Sequence, residues 1–287
     1  MEIELKNVSY VYNPDNPFTK VALDNVNLTI GENEFIGIIG HTGSGKSTLV
    51  QHLNALNLPT SGDVIVDGIN TKEDGENKRN IRKKVGLVFQ YPEYQLFEET
   101  IYKDIAFGPG NMGCPEEEIE ERVKWSCEMV DLDFERTKEV SPFDLSGGQK
   151  RRAAIAGVLA MKPKFIILDE PTAGLDPRGR DAILENINNL YKEQNMTIIL
   201  VSHSMEEVAR LVNRLVVLDQ GKILMDGKPR EVFAQYEKLR SVGLDVPQIT
   251  ELMIKLKEKG MNVPTDVLTV SEGEKALKDF LRRSKDV

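Results

Sequence analysis

EFIGIIGHTGSGKS, Glu34 to Ser47, is an apolar run that breaks into a glycine-rich turn and closes on a lysine and a serine. A short, wholly apolar run bounded by turn residues suits a strand buried on both faces. Gly40, Gly43 and Gly45 let the following backbone curl tightly, with N–H groups turned inward. A helix expected over roughly Lys46 to Leu56 brings its positive end to the same point. This strand–loop–helix order, with the spacing G-x4-G-K-S, is a cradle for nucleotide phosphates. Lys46 is placed to reach the outer phosphates and the Ser47 hydroxyl to ligate Mg²⁺. His41, Thr42, Ser44 and Thr48 complete the loop, with His41 and Thr42 at its free positions, where spacers suffice.

Outward from the loop, residues 1–30 alternate apolar and polar (Ile3, Leu5, Val8, Tyr10, then Val21, Leu23, Val26, Leu28, Ile30) and predict antiparallel strands. NPDNPFTK between them is rich in turn formers. DVIVDG (Asp63–Gly68) predicts another half-buried strand. Residues 91–158 read as helical, with one helix from near Pro115 and another from about Gln149 to Met161. FIILDE and TIILVSH predict two buried strands flanking a helix from about Gly179 to Gln194, a βαβ unit that implies a parallel sheet. RLVVLDQGKILMDG predicts a hairpin turning at Gln220-Gly221. The fold class is therefore α/β. Residues 231–287 form a helical section, with Ile249, Leu252, Met253 and Leu256 on one stripe. Ser271 and Glu274 are spaced as a capping box for its last helix. This section is expected to pack on the main domain or to serve as a dimerisation element.

Composition narrows the function. The 287 residues carry a net charge of -9, so the basic footprint of a nucleic-acid binder is missing. The two cysteines, Cys114 and Cys127, have no metal-ligand or redox spacing, as expected in a reducing cytosol. No secretory signal is read at the start, and the apolar runs fall well short of the ~18 residues of a membrane span. If the protein works at a membrane, another chain anchors it.

Three further segments carry chemistry. FIILDE ends in Asp169 and Glu170, and ligand-facing residues of parallel sheets gather at such carboxyl ends. Asp169 is expected to hold Mg²⁺, and Glu170 to polarise an attacking water as general base. TIILVSH ends in His203 in the same way, placed for an outer phosphate. LSGGQKRR, Leu145 to Arg152, offers Ser146 as a helix cap, while Gly147 and Gly148 leave first-turn N–H groups open to an anion.

The phosphate loop, Gln90 at the end of VGLVFQ, LSGGQ (Leu145–Gln149), FIILDE, AGLD (Ala173–Asp176) and Ser202-His203 stand in the order and spacing of the ATP-binding-cassette ATPases, which residues 1–230 resemble. The resemblance implies a P-loop NTPase fold with a RecA-like parallel-sheet core, an antiparallel β subdomain and a helical subdomain at about 91–160. Residues 231–287 would then be the small helical appendage. It also implies that Tyr12 stacks on adenine and that Gln90 senses Mg²⁺ and the attacking water. Leu145, Ser146, Gly147, Gly148 and Gln149 would cap the ATP held by a facing subunit. Asp176 would sit at the interface between the two sites.

QYPEYQLFEETIYKDIAFGPGNMG (Gln90–Gly113) narrows the resemblance to the ATPases of energy-coupling-factor importers. SPFDLSGGQKRR and the helical tail match their second ATP-binding subunit. That implies a homologous ATPase as dimer partner (or a second copy of this chain), a transmembrane coupling protein and a substrate-binding membrane protein, no nucleic acid, and a place on the cytoplasmic face of the cell membrane. ATP hydrolysis at the dimer interface would drive uptake of vitamins or other micronutrients. The alternatives are the homodimeric ATPase of a cobalt or nickel importer, and a soluble cassette ATPase acting on nucleic acid.

Overall fold

The computed structural model describes residues 2–14 and 19–283 of the chain, the side chain of Arg283 excepted. Residues 15–18 of the expected NPDNPFTK turn lie outside them. The strands are β1 (Ile3–Tyr12), β2 (Lys20–Ile30), β3 (Phe35–Ile39), β4 (Ser61–Val66), β5 (Ile69–Asn70), β6 (Val85–Val88), β7 (Phe165–Asp169), β8 (Thr197–Val201), β9 (Arg214–Asp219) and β10 (Lys222–Gly227). The helices are α1 (Lys46–Leu53), α2 (Glu76–Lys84), α3 (Ile101–Asn111), α4 (Glu116–Met129), α5 (Phe134–Thr137), α6 (Gly147–Leu159), α7 (Pro177–Gln194), α8 (Met205–Leu211), α9 (Pro229–Phe233), α10 (Tyr236–Ser241), α11 (Gln248–Glu258) and α12 (Val270–Arg283).

Two sheets divide the strands. One is four-stranded, ordered β2-β1-β4-β5 and antiparallel throughout. The other is six-stranded, ordered β10-β9-β3-β8-β7-β6, parallel except for the edge strand β10. The parallel strands alternate between two cores. Phe35, Ile39, Ile166, Leu168, Ile198, Leu200, Leu215 and Val217 pack with the helices of 101–190. Ile36, Ile38, Phe165, Ile167, Ile199, Val201, Val216 and Leu218 pack against α1 and the antiparallel sheet. With both faces covered, every position of β3, β7 and β8 is buried, so these strands read as unbroken apolar runs.

Several boundaries differ from expectation. α1 stops at Leu53 because Asn54 leaves helical geometry and Ala55 turns left-handed, with Asn54 Oδ1 accepting from Leu56 N at 3.2 Å. α6 begins two residues early because Ser146 caps it and Gln149 reciprocates, accepting from Ser146 N at 3.1 Å. α7 begins at Pro177, where Asp176 Oδ1 accepts from Gly179 N at 2.9 Å and proline takes the first-turn position. The last helix is capped by Thr269 and Glu272, not by Ser271 and Glu274. Thr269 Oγ1 accepts from Glu272 N at 3.3 Å, and the Glu272 carboxylate accepts from Leu268 N at 2.9 Å. Glu274 instead pairs with Lys278 one turn along.

Residues beyond 231 contribute to two cores. Val232, Phe233, Leu239, Leu244, Val246 and Leu268 join the helix-side core of the main sheet. Met253, Val263 and Val267 form a smaller cluster with Ile249, Leu256, Ala276, Leu277 and Phe280 around them.

Candidate functional site

β3 delivers the chain to Gly40, where a Cβ would lie 2.3 Å from Leu218 O and 2.5 Å from Ser44 Oγ, so only glycine fits. Gly45 has φ +108°, and a Cβ there would lie 2.4 Å from Ala22 O. The curl is braced from a distance. The hairpin turn at Gly221 donates its N–H to Ser44 O at 2.9 Å, and Asp24 N donates to Gly221 O at 2.9 Å. α1 then starts directly at Lys46.

The Lys46 ammonium lies inside the loop, donating to Gly40 O at 2.7 Å and His41 O at 3.0 Å. Burial lowers its pKa from the ordinary lysine value, opposed by the carboxylates of Glu170 and Asp169. His41 is more than a spacer. Its Nε2 lies 2.9 Å from Asp219 Oδ1 and its Nδ1 2.8 Å from Thr42 O, which ties the loop to the end of β9. Beside the loop, the Tyr12 hydroxyl lies 3.1 Å from Thr48 Oγ1, and its ring meets Tyr10 edge to face at 4.8 Å. Tyr12, Lys20 and Ala22 line one cleft with Gly43, Gly45, Lys46, Ser47 and Thr48. Lys20, at the first position of β2, has no motif around it that could have announced this place.

Register brings the acidic residues to the loop. β7 pairs in parallel with β8, Asp169 opposite Val201, and with β6, Leu168 opposite Val88. Asp169, Glu170, Ser202, His203 and Gln90 therefore leave neighbouring strands at the same carboxyl edge. Asp169 is buried beside the Ser47 side chain; burial raises its pKa. Glu170 turns left-handed at φ 51°, with its N–H on Val201 O at 2.9 Å. Its Oε1 lies 2.7 Å from His203 Nε2. Burial, then the neighbouring Asp169, raises the Glu170 pKa; burial, then Lys46, lowers that of His203. The lowered His203 pKa favours the neutral imidazole, and at 2.7 Å such a ring can present Nε2–H to a Glu170 carboxylate oxygen. Gln90 is exposed, two residues beyond β6.

Behind this edge, Glu207 is a buried carboxylate missed in the sequence. It accepts from Ser202 Oγ at 2.7 Å and from Thr172 Oγ1 at 2.9 Å, fastening the His203 loop to the loop after Glu170. Arg151, also missed, ties the same loop to Glu93. Sequence alone hid both networks because their members lie 35 and 58 positions apart.

The cleft at the phosphate loop takes no residue from Leu145–Gln149 among the described residues. At that second place Ser146 and Gln149 form a reciprocal cap, and a Cβ on Gly147 or Gly148 would meet nothing within 4 Å. The N-terminal turn of α6 is thus open. Asp176 is exposed and caps α7.

A groove runs between the 91–113 segment and α6, lined by Phe97, Phe107, Met112, Met161, Arg79 and Arg82. Phe97 and Phe107 meet edge to face at 5.0 Å and are both exposed, as are Tyr91 and Tyr94. Of the acids in this segment, Glu93 is committed to Arg151 and Glu99 pairs with Lys103. Among the described residues no helix is long and apolar enough to cross a membrane. No group of three or more His, Cys, Asp or Glu among them could hold a metal ion.

Residues 23–173 match the family model described as ABC transporter. The chain is 57% identical over 284 residues to the energy-coupling factor transporter ATP-binding protein EcfA2 of Clostridium perfringens, covering 99% of this chain and 100% of the relative. Its structure resembles that of cbiO1 from Clostridium perfringens, part of the ABC transporter complex cbiONQ, with TM-score 0.74, 38% identity, and coverage of 88% of this chain and 98% of that one. It also resembles the dimeric post-hydrolysis state of the ATP-binding cassette MJ0796 bound to ADP and Pi, with TM-score 0.70, 33% identity, and coverage of 79% and 98%.

Proposed function

Since the chain belongs to the ABC transporter family, and within it to the energy-coupling factor transporter ATP-binding proteins, we propose that it works as one half of a two-site ATP clamp that drives a membrane coupling protein. It is an ATPase whose hydrolysis is coupled to transport. The observation that carries the site assignment is the convergence of Lys46, Asp169, Glu170 and His203 at one edge, with Glu170 and His203 2.7 Å apart.

In this mechanism the inward N–H groups of Gly40–Ser47 and the Lys46 ammonium hold the phosphates, and Tyr12 carries the adenine at the far end of the cleft. Hard oxygen donors suit Mg²⁺, which takes one or two carboxylates and leaves its other positions to phosphates and water. The buried Asp169 and the neighbouring Ser47 hydroxyl are such a donor set, and Gln90 stands at the same edge. The ion would neutralise phosphate charge. Glu170 orients the attacking water and accepts its proton. His203, held neutral, fixes the carboxylate through Nε2–H and faces the outer phosphate. A facing subunit completes the site with its Leu145–Gln149 equivalent, and this chain's open α6 terminus caps the partner's nucleotide. Asp176 at the start of α7 then links the two sites. ATP bound between subunits favours the closed pair, and hydrolysis releases it.

The facing subunit is a homologous ATPase, a reading supported by the likeness of SPFDLSGGQKRR and the helical tail to a second ATP-binding subunit. Residues 1–230 form the nucleotide-binding unit, and 231–287 the appendage that supports dimerisation. The apolar groove beside Phe97 and Phe107 suits an amphipathic helix of the coupling protein at the cytoplasmic membrane face. A separate membrane protein selects the cargo, a vitamin or other micronutrient. Purification of the tagged chain from membranes in mild detergent tests this. A homologous ATPase and membrane-spanning proteins are expected to accompany it, with ATP turnover; a chain recovered alone, or on nucleic acid, would refute it.

A further inference from the structure

Arg151 is the largest of the fully buried side chains among the described residues, 2% exposed, in the second turn of α6. A guanidinium taken out of water must have its donors met, or the fold bears an uncompensated charge. Here they are met by two other segments. Nε and Nη2 donate to Glu93 Oε2 and Oε1 at 3.1 and 2.8 Å, a forked pair. Nη1 donates to Pro171 O at 2.9 Å and Ala173 O at 2.6 Å. The same two segments also lie close at a second point, since a Cβ added to Gly174 would come 3.5 Å from the Tyr91 ring.

The joined segments are those whose positions matter. Glu93 sits in a single 3₁₀ turn, Pro92–Gln95, entered through the left-handed Tyr91, so it has little internal structure to hold it in place. Pro171 and Ala173 follow Glu170, itself held left-handed. One rigid, planar group therefore spans from the segment facing the groove to the loop that sets the carboxylate, inside a single subunit.

We propose that Arg151 is a positioning residue that couples the seat of the Pro92–Gln95 turn to the placement of Glu170, so that docking in the groove is registered at the reacting water. This rests on the docking site and the role of Glu170 proposed above. Lysine cannot reproduce the fork and the two carbonyl bonds at once.

The test measures ATP turnover of the assembled membrane complex carrying wild-type chain, Arg151→Lys, Glu93→Gln, both together, or Glu93→Asp. The expected result is a ~10-fold fall in kcat for either single change, with KM for ATP within about twofold. The double variant is expected to fall no further than the worse single one, because both break one joint, and Glu93→Asp to recover most of the rate. Additive losses, or losses in KM and thermal stability without the kcat effect, would assign Arg151 to packing alone and overturn the proposal. Should Arg151→Lys fail to fold, Glu93→Gln and Glu93→Asp decide the matter by the same readout. A wild-type complex no faster than the isolated ATPase dimer would instead bring down the docking reading; a stimulated wild type matched by both variants removes only the coupling role.

Discussion

Glu170 occupies an unusual backbone position for a long side chain, and its carboxyl is held above the usual carboxylate range by burial and by Asp169. Replacing it with glutamine keeps the shape and the tie to His203 but removes the proton acceptor. Turnover by Glu170→Gln is expected to drop ~10²-fold or more with ATP binding intact, measured by phosphate release beside nucleotide retention; near-normal turnover would exclude Glu170 as the base. His52 supplies a different prediction. It is fully buried in α1, with Nδ1–H donating to Thr48 O at 2.7 Å and Nε2 without a partner. Burial lowers its pKa below the ordinary histidine value. The unfolded chain therefore takes up the proton first as pH falls below about 6.5, and stability is lost in that direction, with no contribution above it. His52→Leu is expected to flatten the fall in Tm between about pH 7 and 5; an unchanged slope would show that His52 is not its source. At this scale the sequence was legible where chemistry is local, as in Gly40–Ser47 or Asp169-Glu170. Arg151 and Glu207 were not, because nothing in either one's neighbourhood reveals a partner brought in by another element.

Elements were legible in proportion to how one-sided or two-sided their burial is. β3, β7 and β8 announce themselves because both faces are covered. α2 does not, since only Ile81 is buried in a helix otherwise lysine-, arginine- and asparagine-rich. α3 falls within the stretch expected to be helical, but Gly108, Pro109 and Gly110 in its last turns blur its bounds. α6 shows how one element serves two ends. Its first turn is capped by Ser146 and open to an anion, while its second turn carries Arg151. Ser146→Ala is expected to cost only the cap, about 1 kcal/mol in thermal or denaturant unfolding. Ser146→Arg places bulk and charge at the open turn, so ATP-driven dimerisation, followed by sedimentation on a Glu170→Gln background, is expected to disappear. Equal dimerisation by the arginine variant would take the turn out of the interface.

For the molecule as a whole, the tail is bound to the main domain by side chains that belong to its core. Val232, Phe233, Leu239, Leu244 and Val246 lie in the helix-side cluster, and Arg240 pairs with Glu251 at 2.8 Å. A chain ending at Pro247 keeps these five apolar side chains and loses only Leu268 of the core and the exposed Arg240–Glu251 pair, and is expected to fold with a Tm close to that of the full chain. A chain ending at Lys228 exposes what they covered, at roughly 1.5–3 kcal/mol for each large apolar side chain, and is expected to be insoluble or to melt far lower. Circular dichroism melts of the two separate these outcomes; equal melts would show the 229–247 segment to be dispensable. The two-sheet core was legible in outline from alternation in residues 1–30 and from the apolar runs of the parallel strands. The sharing of side chains between core and tail was not, because helical periodicity marks an apolar stripe without saying what it faces.

The strand that carries the phosphate loop lies between β8 and β9, and its loop is braced by the turn at Gly221. A ribosome makes this chain in sequence order, not in the order of the sheet. Residues 35–47 leave it early, and their flanking strands and brace follow only after some 160 further residues, which emerge over seconds at ~5–20 residues per second. During that interval β3 has two open edges and the loop nothing to hold its curl. The braced form of the loop therefore exists only once translation has passed Gly221, and until then the apolar strands of the nascent chain have open edges that those of a neighbour could pair with.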